Sequence, residues 1–349
     1  MSPLFQREYE ILTEIPTLSS IKSSLHKTRR RVQGISSEAS TAADIILSSE
    51  LLKLSDTSTF LLADTFICES TNRIIVFGTP KGKDILQKSE KFYWDGTFKS
   101  CPKQFLQIYS LHVDIGSSLE EVNIIPIVFA LLPNKTQATY VKLFSILKEA
   151  NWSPECLTMD FEVAAIMGAK IVFPTLEIKD CNFHFNQCLW RQVQSIGLAD
   201  AYKCNTEIRL SIRMCAALAF LPEEDIDDAW IKIQEDSPQN FLLTKFYDYF
   251  VEQWLENSTI TVSMWNCFKR LHRTNNIIEG WNNKVNAFIG KSHPRIEDVI
   301  RFLKTEANYS DFLDERRNLN LEGKKRAKKK YIYIHTFRQS DNPNNRKVL

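Results

Sequence analysis

Residues 92 to 132 constrain this chain more than any other stretch. Phe92-Tyr-Trp-Asp-Gly-Thr-Phe98, Gln104 to Ile115 and Ile124 to Leu132 are apolar, β-branched and aromatic runs divided only by turn-like segments. Such short links cannot hold a crossover helix, so these strands must form an antiparallel meander. The rhythm then changes. Gln137 to Ala150 sets Tyr140, Leu143, Phe144 and Leu147 at helical spacing, Cys156-Leu-Thr-Met-Asp160 reads as a strand, and Val163 to Lys170 as an Ala-rich helix. Glu177 to Phe185 reads as a fifth strand, leading into a helix through Gln187 and Arg191. The order β-β-β-α-β-α-β-α predicts an α/β fold with a mixed sheet covered by helices.

Outside this block the pattern is plainer. Phe60 to Asp64 and Arg73 to Gly78 read as short strands, and residues 1–59 form a basic, partly flexible segment with the cluster Lys27-Thr-Arg-Arg-Arg31. After about Asn186 the strand signals stop. Residues 207 to 273 read as several helices, with Trp230, Phe246, Tyr249, Phe250, Trp254 and Trp265 in their core. Asn275 to Ile289 is a further helix, and Glu322 to Lys330 is a basic run in a polar tail.

Composition narrows the function classes. Hydrophobic residues at 44% and charged residues at 25% exclude collagenous and disordered classes. Forty-four basic residues against 42 acidic ones leave +2, so any nucleic acid must be held by local patches. No apolar run approaches the roughly 18 residues of a membrane span, and the N-terminus lacks a secretory pattern. Eight scattered cysteines then read as reduced thiols of a cytosolic or nuclear protein.

Three acids occupy unusual places. Asp95 sits inside an aromatic strand, where it must be paired, solvated or metal-bound, and Gly96 after it permits close backbone approach. Asp160 ends a strand and opens a helix, which also suits an N-cap. Glu279 lies in Arg273-Thr-Asn-Asn-Ile-Ile-Glu-Gly-Trp-Asn-Asn283, where Ile278 and Trp281 direct it towards an apolar surface. Three carboxylates from two strands and a helix would bind hard divalent cations through oxygen and support phosphodiester cleavage.

Four motifs in order carry a resemblance. Tyr93-Trp-Asp-Gly-Thr-Phe-Lys99, Thr158-Met-Asp-Phe-Glu162, Cys181-Asn-Phe-His184 with Gln187, and Arg273-Thr-Asn-Asn-Ile-Ile-Glu279 resemble the Mutator-like element (MULE) transposase domain. The resemblance covers roughly Phe60 to Gly290. It implies an RNase H-like mixed five-stranded sheet with helices on both faces, and an all-helical insertion before the last catalytic helix. The core would span residues 60–200, the insertion 201–273, the final core helix and a C-terminal helix 274–310, and a basic tail 311–349.

The resemblance also implies a DDE triad of Asp95, Asp160 and Glu279 holding two Mg²⁺ or Mn²⁺ ions. Water would hydrolyse DNA at an element end, and the freed 3′-hydroxyl would attack target DNA. Cys181, His184, Gln187, Arg191 and Asn276 would serve as auxiliary or DNA-contacting residues. Zinc is disfavoured, because Cys181, His184 and Cys188 supply only three ligands with no second pair at finger spacing. Expected partners are DNA at transposon ends and targets and a second copy of the chain, with no membrane and no small-molecule substrate. The expected location is the nucleus. Two other readings compete: a domesticated, catalytically inactive nuclear DNA-binding protein, and an RNase H-type nuclease acting on RNA–DNA hybrids.

Overall fold

The computed structural model describes positions 24 and 28 and residues 39–66, 72–118, 121–270, 272–273, 275–319 and 324–325. Lys27, Arg29 to Arg31, Thr274 and all of the C-terminal basic run except Lys324 and Lys325 lie outside the described residues. The chain divides into two compact units, Met1–Ile45 and Ile46–Leu349, and the second carries everything that follows.

Seven strands form one sheet: β1 (Leu61–Asp64), β2 (Ile75–Gly78), β3 (Lys91–Thr97), β4 (Gln107–Asp114), β5 (Ile124–Leu132), β6 (Cys156–Met159) and β7 (Glu177–Asp180). Their spatial order is β1-β2-β5-β4-β3-β6-β7. Pairing is antiparallel from β1 to β3 and parallel from β3 through β6 to β7. The sheet therefore has two strands more than the five expected. The reason is the edge of β5, an apolar strand whose backbone groups need a partner, and the fully buried β2 supplies it. The residues 121–122 also pair with Lys324–Lys325 as a separate two-residue ladder.

Helix α1 (Pro80–Lys88) follows β2; α2 (Gln137–Glu149) and α3 (Val163–Val172) precede and follow β6. Helix α4 (Asn182–Ser195) leads into α5 (Thr206–Ala217), α6 (Ile226–Glu235) and α7 (Phe241–Phe250), followed by a π-helical stretch at Val251–Leu255. Helices α8 (Asn276–Ile289) and α9 (Ile296–Asn318) close the described chain. Helix α9 runs past the expected boundary at residue 310. Its buried stripe of Ile296, Val299, Ile300, Leu303, Ala307 and Ser310 and its acidic first and basic last turns account for the length.

Strand alternation decides which residues meet which helices. Phe92 and Trp94 point one way, where Trp94 packs at 5.1 Å from Phe144 of α2 and 5.5 Å from Trp152. Asp95 points the other way. On that face the register row Asp95, Ser110 and Phe129 crosses β3, β4 and β5. Trp281 of α8 stacks on Phe129 at 5.6 Å and meets His112 edge-on at 5.2 Å. Downstream, Phe185, Trp230, Phe250, Trp254 and Trp265 build a second apolar core among the helices after β7.

The predicted fifth strand, Glu177 to Phe185, ends at Asp180. Asn182, Phe185, Leu189 and Val193 are buried at helical spacing, so the chain is already helical at Asn182. Cys181 is thus the N-cap of α4 and His184 lies in its first turn; neither belongs to a strand.

Candidate active site

Asp95 is 8% exposed in the middle of β3. One carboxylate oxygen accepts the Gly96 N–H at 2.7 Å, and the other accepts the Asn282 side-chain amide of α8 at 2.9 Å. Burial first, then the charge of Asp160, and more weakly that of Glu279, push its pKa up to about 7. The glycine beside it sits in a crowded place, where any side chain would make its neighbours shift. A Cβ at Gly96 would stand 2.7 Å from Gln107 Oε1 and 3.1 Å from the Tyr109 ring across the β3–β4 ladder.

Asp160 directly follows β6 and is half-buried. It does not cap α3, whose N-cap position is Glu162 without a side-chain cap bond. Glu162 is tied elsewhere: its carboxylate accepts the Tyr140 hydroxyl at 2.6 Å and Lys135 Nζ at 3.2 Å. Glu279 is half-buried in the first turn of α8. A strand interior, a strand end and a helix start therefore place Asp95 under the charges of both other acids.

A fourth acid joins them, which the sequence reading missed. Asp180 is 1% exposed at the end of β7, with its Cα opposite Met159. Its Oδ1 accepts the Cys181 N–H at 3.2 Å, while Oδ2 has no hydrogen-bond partner. Burial and then the Asp160 charge raise its pKa well above the carboxylate range. Arg270 reaches only the Asp180 backbone carbonyl, at 3.3 Å, and donates also to the carbonyls of Ser263 and Met264. Asp180 repeats the strand–acid–helix arrangement of Asp160. That signal was present in the sequence, but a strand drawn through Phe185 buried it mid-element.

The auxiliary residues divide. Cys181 is fully buried; its Sγ accepts the Asn275 N–H at 3.1 Å, burial raises its thiol pKa, and Glu279 adds to the rise. The adjacent Asn182 N–H donates to the Arg273 carbonyl at 2.9 Å, so the starts of α4 and α8 are sewn together. His184 is half-buried with Nδ1 unpartnered and its ring 5.6 Å from Phe183. Burial raises the Cys188 thiol pKa; Arg191 opposes this while Asp180 and Asp160 add to it. Gln187 is half-buried, and Arg191 and Asn276 are exposed. Asn275 is buried with both side-chain polar atoms unpartnered, another residue to which the sequence reading gave no role.

Among the described residues no three His, Cys, Asp or Glu side chains gather closely enough to hold a metal ion in this arrangement. The chemistry of the donors nevertheless suits one. All four acids offer oxygen, Asp180 Oδ2 is orphaned, and burial first and then the negative charges of Asp160 and Glu279 raise the Asp95 pKa. Such a set fits a hard divalent cation, and like charges close up when a cation screens them.

No curated protein matches the chain. Among the described residues no helix is long and apolar enough to cross a membrane. Residues 92–188 match the family model of the MULE transposase domain. The matched span runs from β3 into α4, so it contains Asp95, Asp160, Asp180 and Cys181 to Cys188, while Glu279 lies beyond it. The strand that carries the mid-sheet acid, and the parallel strands that end in the next two, thus fall within one matched span: residues 92–188 are similar to a MULE transposase domain.

Proposed function

We propose that this protein is a DDE-type DNA transposase of the Mutator-like class, cleaving DNA and transferring strands through Asp95, Asp160 and Glu279. The observation that carries the reading is the convergence on Asp95. Inside the MULE-matching span, this buried acid feels charges delivered by a separate strand end and by a distant helix. The spatial order β5-β4-β3-β6-β7, with three antiparallel strands followed by two parallel ones, is compatible with an RNase H-like core and supports this reading.

On this reading Asp95, Asp160 and Glu279 would hold two Mg²⁺ or Mn²⁺ ions, which would supply water activation and leaving-oxygen stabilisation for phosphodiester cleavage. The chain's own residues supply the placement. The Gly96 N–H and the Asn282 amide each take one lone pair of Asp95, leaving a second lone pair on each oxygen. Asp180, at the end of β7, offers Oδ2 as a further oxygen donor without a hydrogen-bond partner. The protein would act on transposon ends and target DNA in the nucleus, with a second copy holding the other end.

One observation favours the inactive, domesticated alternative: the acids do not stand at ligand spacing among the described residues. A Mn²⁺ titration by calorimetry, with a short DNA duplex present, separates the two. Two-ion binding to the wild type that disappears in Asp160→Asn is expected. A folded wild type that binds no Mn²⁺ overturns the enzyme reading and leaves the alternative.

A further inference from the structure

Helix α8 has two working faces. Taking Glu279 as zero and about 100° per residue, Asn282 falls near −60° and Asn286 near −20°, whereas Trp281 and Lys284 fall near 200° and 140°. The front face meets the sheet unit: Asn282 donates to Asp95 at 2.9 Å, and the Ser100 hydroxyl donates to Asn286 at 2.6 Å. On the back face Trp281 also packs on Phe129 and His112 of the sheet, and the same face meets a buried acid of α9. Glu306 is 5% exposed; its Oε2 accepts the Trp281 indole N–H at 3.0 Å and its Oε1 accepts Lys284 Nζ at 2.6 Å.

We propose that Glu306 is a positioning residue that sets the roll of α8 and thereby aims Glu279 and Asn282 at Asp95. The inference rests on the function proposed above. Lys284 is exposed, so its pairing with Glu306 adds little to stability; the buried indole N–H bond to Glu306 is the contact that fixes register. Here the carboxylate grips two points on the back of one turn, while the indole it holds is wedged between Phe129, His112 and Phe302. Apolar packing alone resists separation of the helices but tolerates a small roll; the paired hydrogen bonds do not. At a side-chain radius of about 6 Å, a roll of about 10° moves the Glu279 carboxylate by about 1 Å. A displacement of that size can cost about a hundredfold in rate.

The test compares Glu306→Ala, Glu306→Gln and Trp281→Phe with the wild type. Selective ¹⁵N-asparagine labelling, assigned with Asn282→Ala, reports the Asn282–Asp95 hydrogen bond without metal or DNA. Mn²⁺ titration and cleavage kinetics report the consequence. Glu306→Ala is expected to shift the Asn282 amide resonances, weaken Mn²⁺ binding at least tenfold and lower kcat by about 10- to 100-fold with KM for DNA unchanged. Glu306→Gln, which still accepts the indole N–H, should recover to within about threefold of wild type.

Unchanged Asn282 resonances in a folded Glu306→Ala protein overturn the proposal, as does a fall in thermal midpoint with kcat and Mn²⁺ affinity intact. If the alanine variant does not fold, Trp281→Phe, which removes only the indole N–H, decides on the same two readouts. A wild type that neither binds Mn²⁺ nor cleaves would sink the enzyme reading, and the Asn282 resonances would still judge the clamp.

Discussion

The rim of the sheet that bears the acids and the helical insertion after α4 differ in how far they satisfy their polar groups. In the insertion, Asn205 accepts the N–H groups of Glu207 and Ile208 at the start of α5, and Asn240 does the same for Leu242 and Leu243 at the start of α7. Trp265 stacks on Phe185 at 5.1 Å and donates its N–H to the Trp254 carbonyl at 2.9 Å. Along the rim, α3, α4 and α8 begin at Glu162, Cys181 and Asn275 with no side-chain cap. Asp180 Oδ2, Asn182 Nδ2, His184 Nδ1, Asn282 Oδ1 and both polar atoms of Asn275 lack partners there. The insertion satisfies more of its groups, although α6 starts at Asp225 without a side-chain cap and Trp254 Nε1 has no partner. The rim leaves helix N-termini and buried polar atoms uncompensated, as sites that must accept something else do.

The largest effect that can break this contrast is in the insertion core. Trp265→Ala removes a fully buried ring, its stack and its hydrogen bond. Equilibrium denaturation should lose about 3–5 kcal/mol. A loss below about 1 kcal/mol would mean that the second core contributes little to the fold, and the division of labour would fall.

At the rim the prediction reverses sign. The folded chain keeps the Asp95 proton up to about pH 7, whereas an unfolded aspartate releases it near about pH 4. Between those values the native state binds the extra proton, so this group's contribution makes stability fall as pH rises, and the full penalty stands above pH 7. Asp95→Asn removes the buried charge. The variant should be about 2–4 kcal/mol more stable than wild type at pH 8 and nearly equal to it at pH 4. Thermal melts at the two pH values check this, and a pH-independent difference would show that Asp95 is compensated after all.

A smaller effect sharpens the capping contrast. Asn240→Ala in the insertion should cost about 1 kcal/mol through two lost N–H partners. Asn275→Ala on the rim deletes a buried amide that bonds nothing through its side chain, so it should cost under about 0.5 kcal/mol or stabilise. Equal losses in denaturant melts would erase the distinction between the two helix starts.

Much of the scaffold was legible because strand alternation and helical spacing are local signals. The three meander strands, α2, α3 and α8 follow from residue pattern within a few positions. What failed was long-range or junctional. That β1 and β2 would extend the sheet depends on the unpaired edge of β5, far away in sequence. The passage from β7 to α4 occurs at Asp180 and Cys181, where apolar residues on both sides suit either period. The same misplacement hid Asp180. Asp95, Asp160 and Glu279 were visible because each acid interrupts an apolar context. The grip of Glu306 on Trp281 was not visible, since an acid in a charged helix such as α9 reads as solvent-facing until its neighbours are known.

The smallest predicted effect uses acids of the insertion to test whether environment or residue type makes the rim special. Glu223, Glu224 and Asp225 form a short helical turn just before α6, and all three are exposed. By density of carboxylates alone this turn rivals the rim. Water screens these charges, and the following helix start favours them, so nothing in their surroundings demands a counter-ion. The double change Glu223→Gln, Glu224→Gln should move stability by no more than about 0.5 kcal/mol. It should also leave the Mn²⁺ isotherm unchanged, whereas Asp160→Asn should abolish it. Loss of an ion from the isotherm in the double variant would place a cation site on the insertion, and burial would no longer separate the proposed metal-binding acids from the solvated ones.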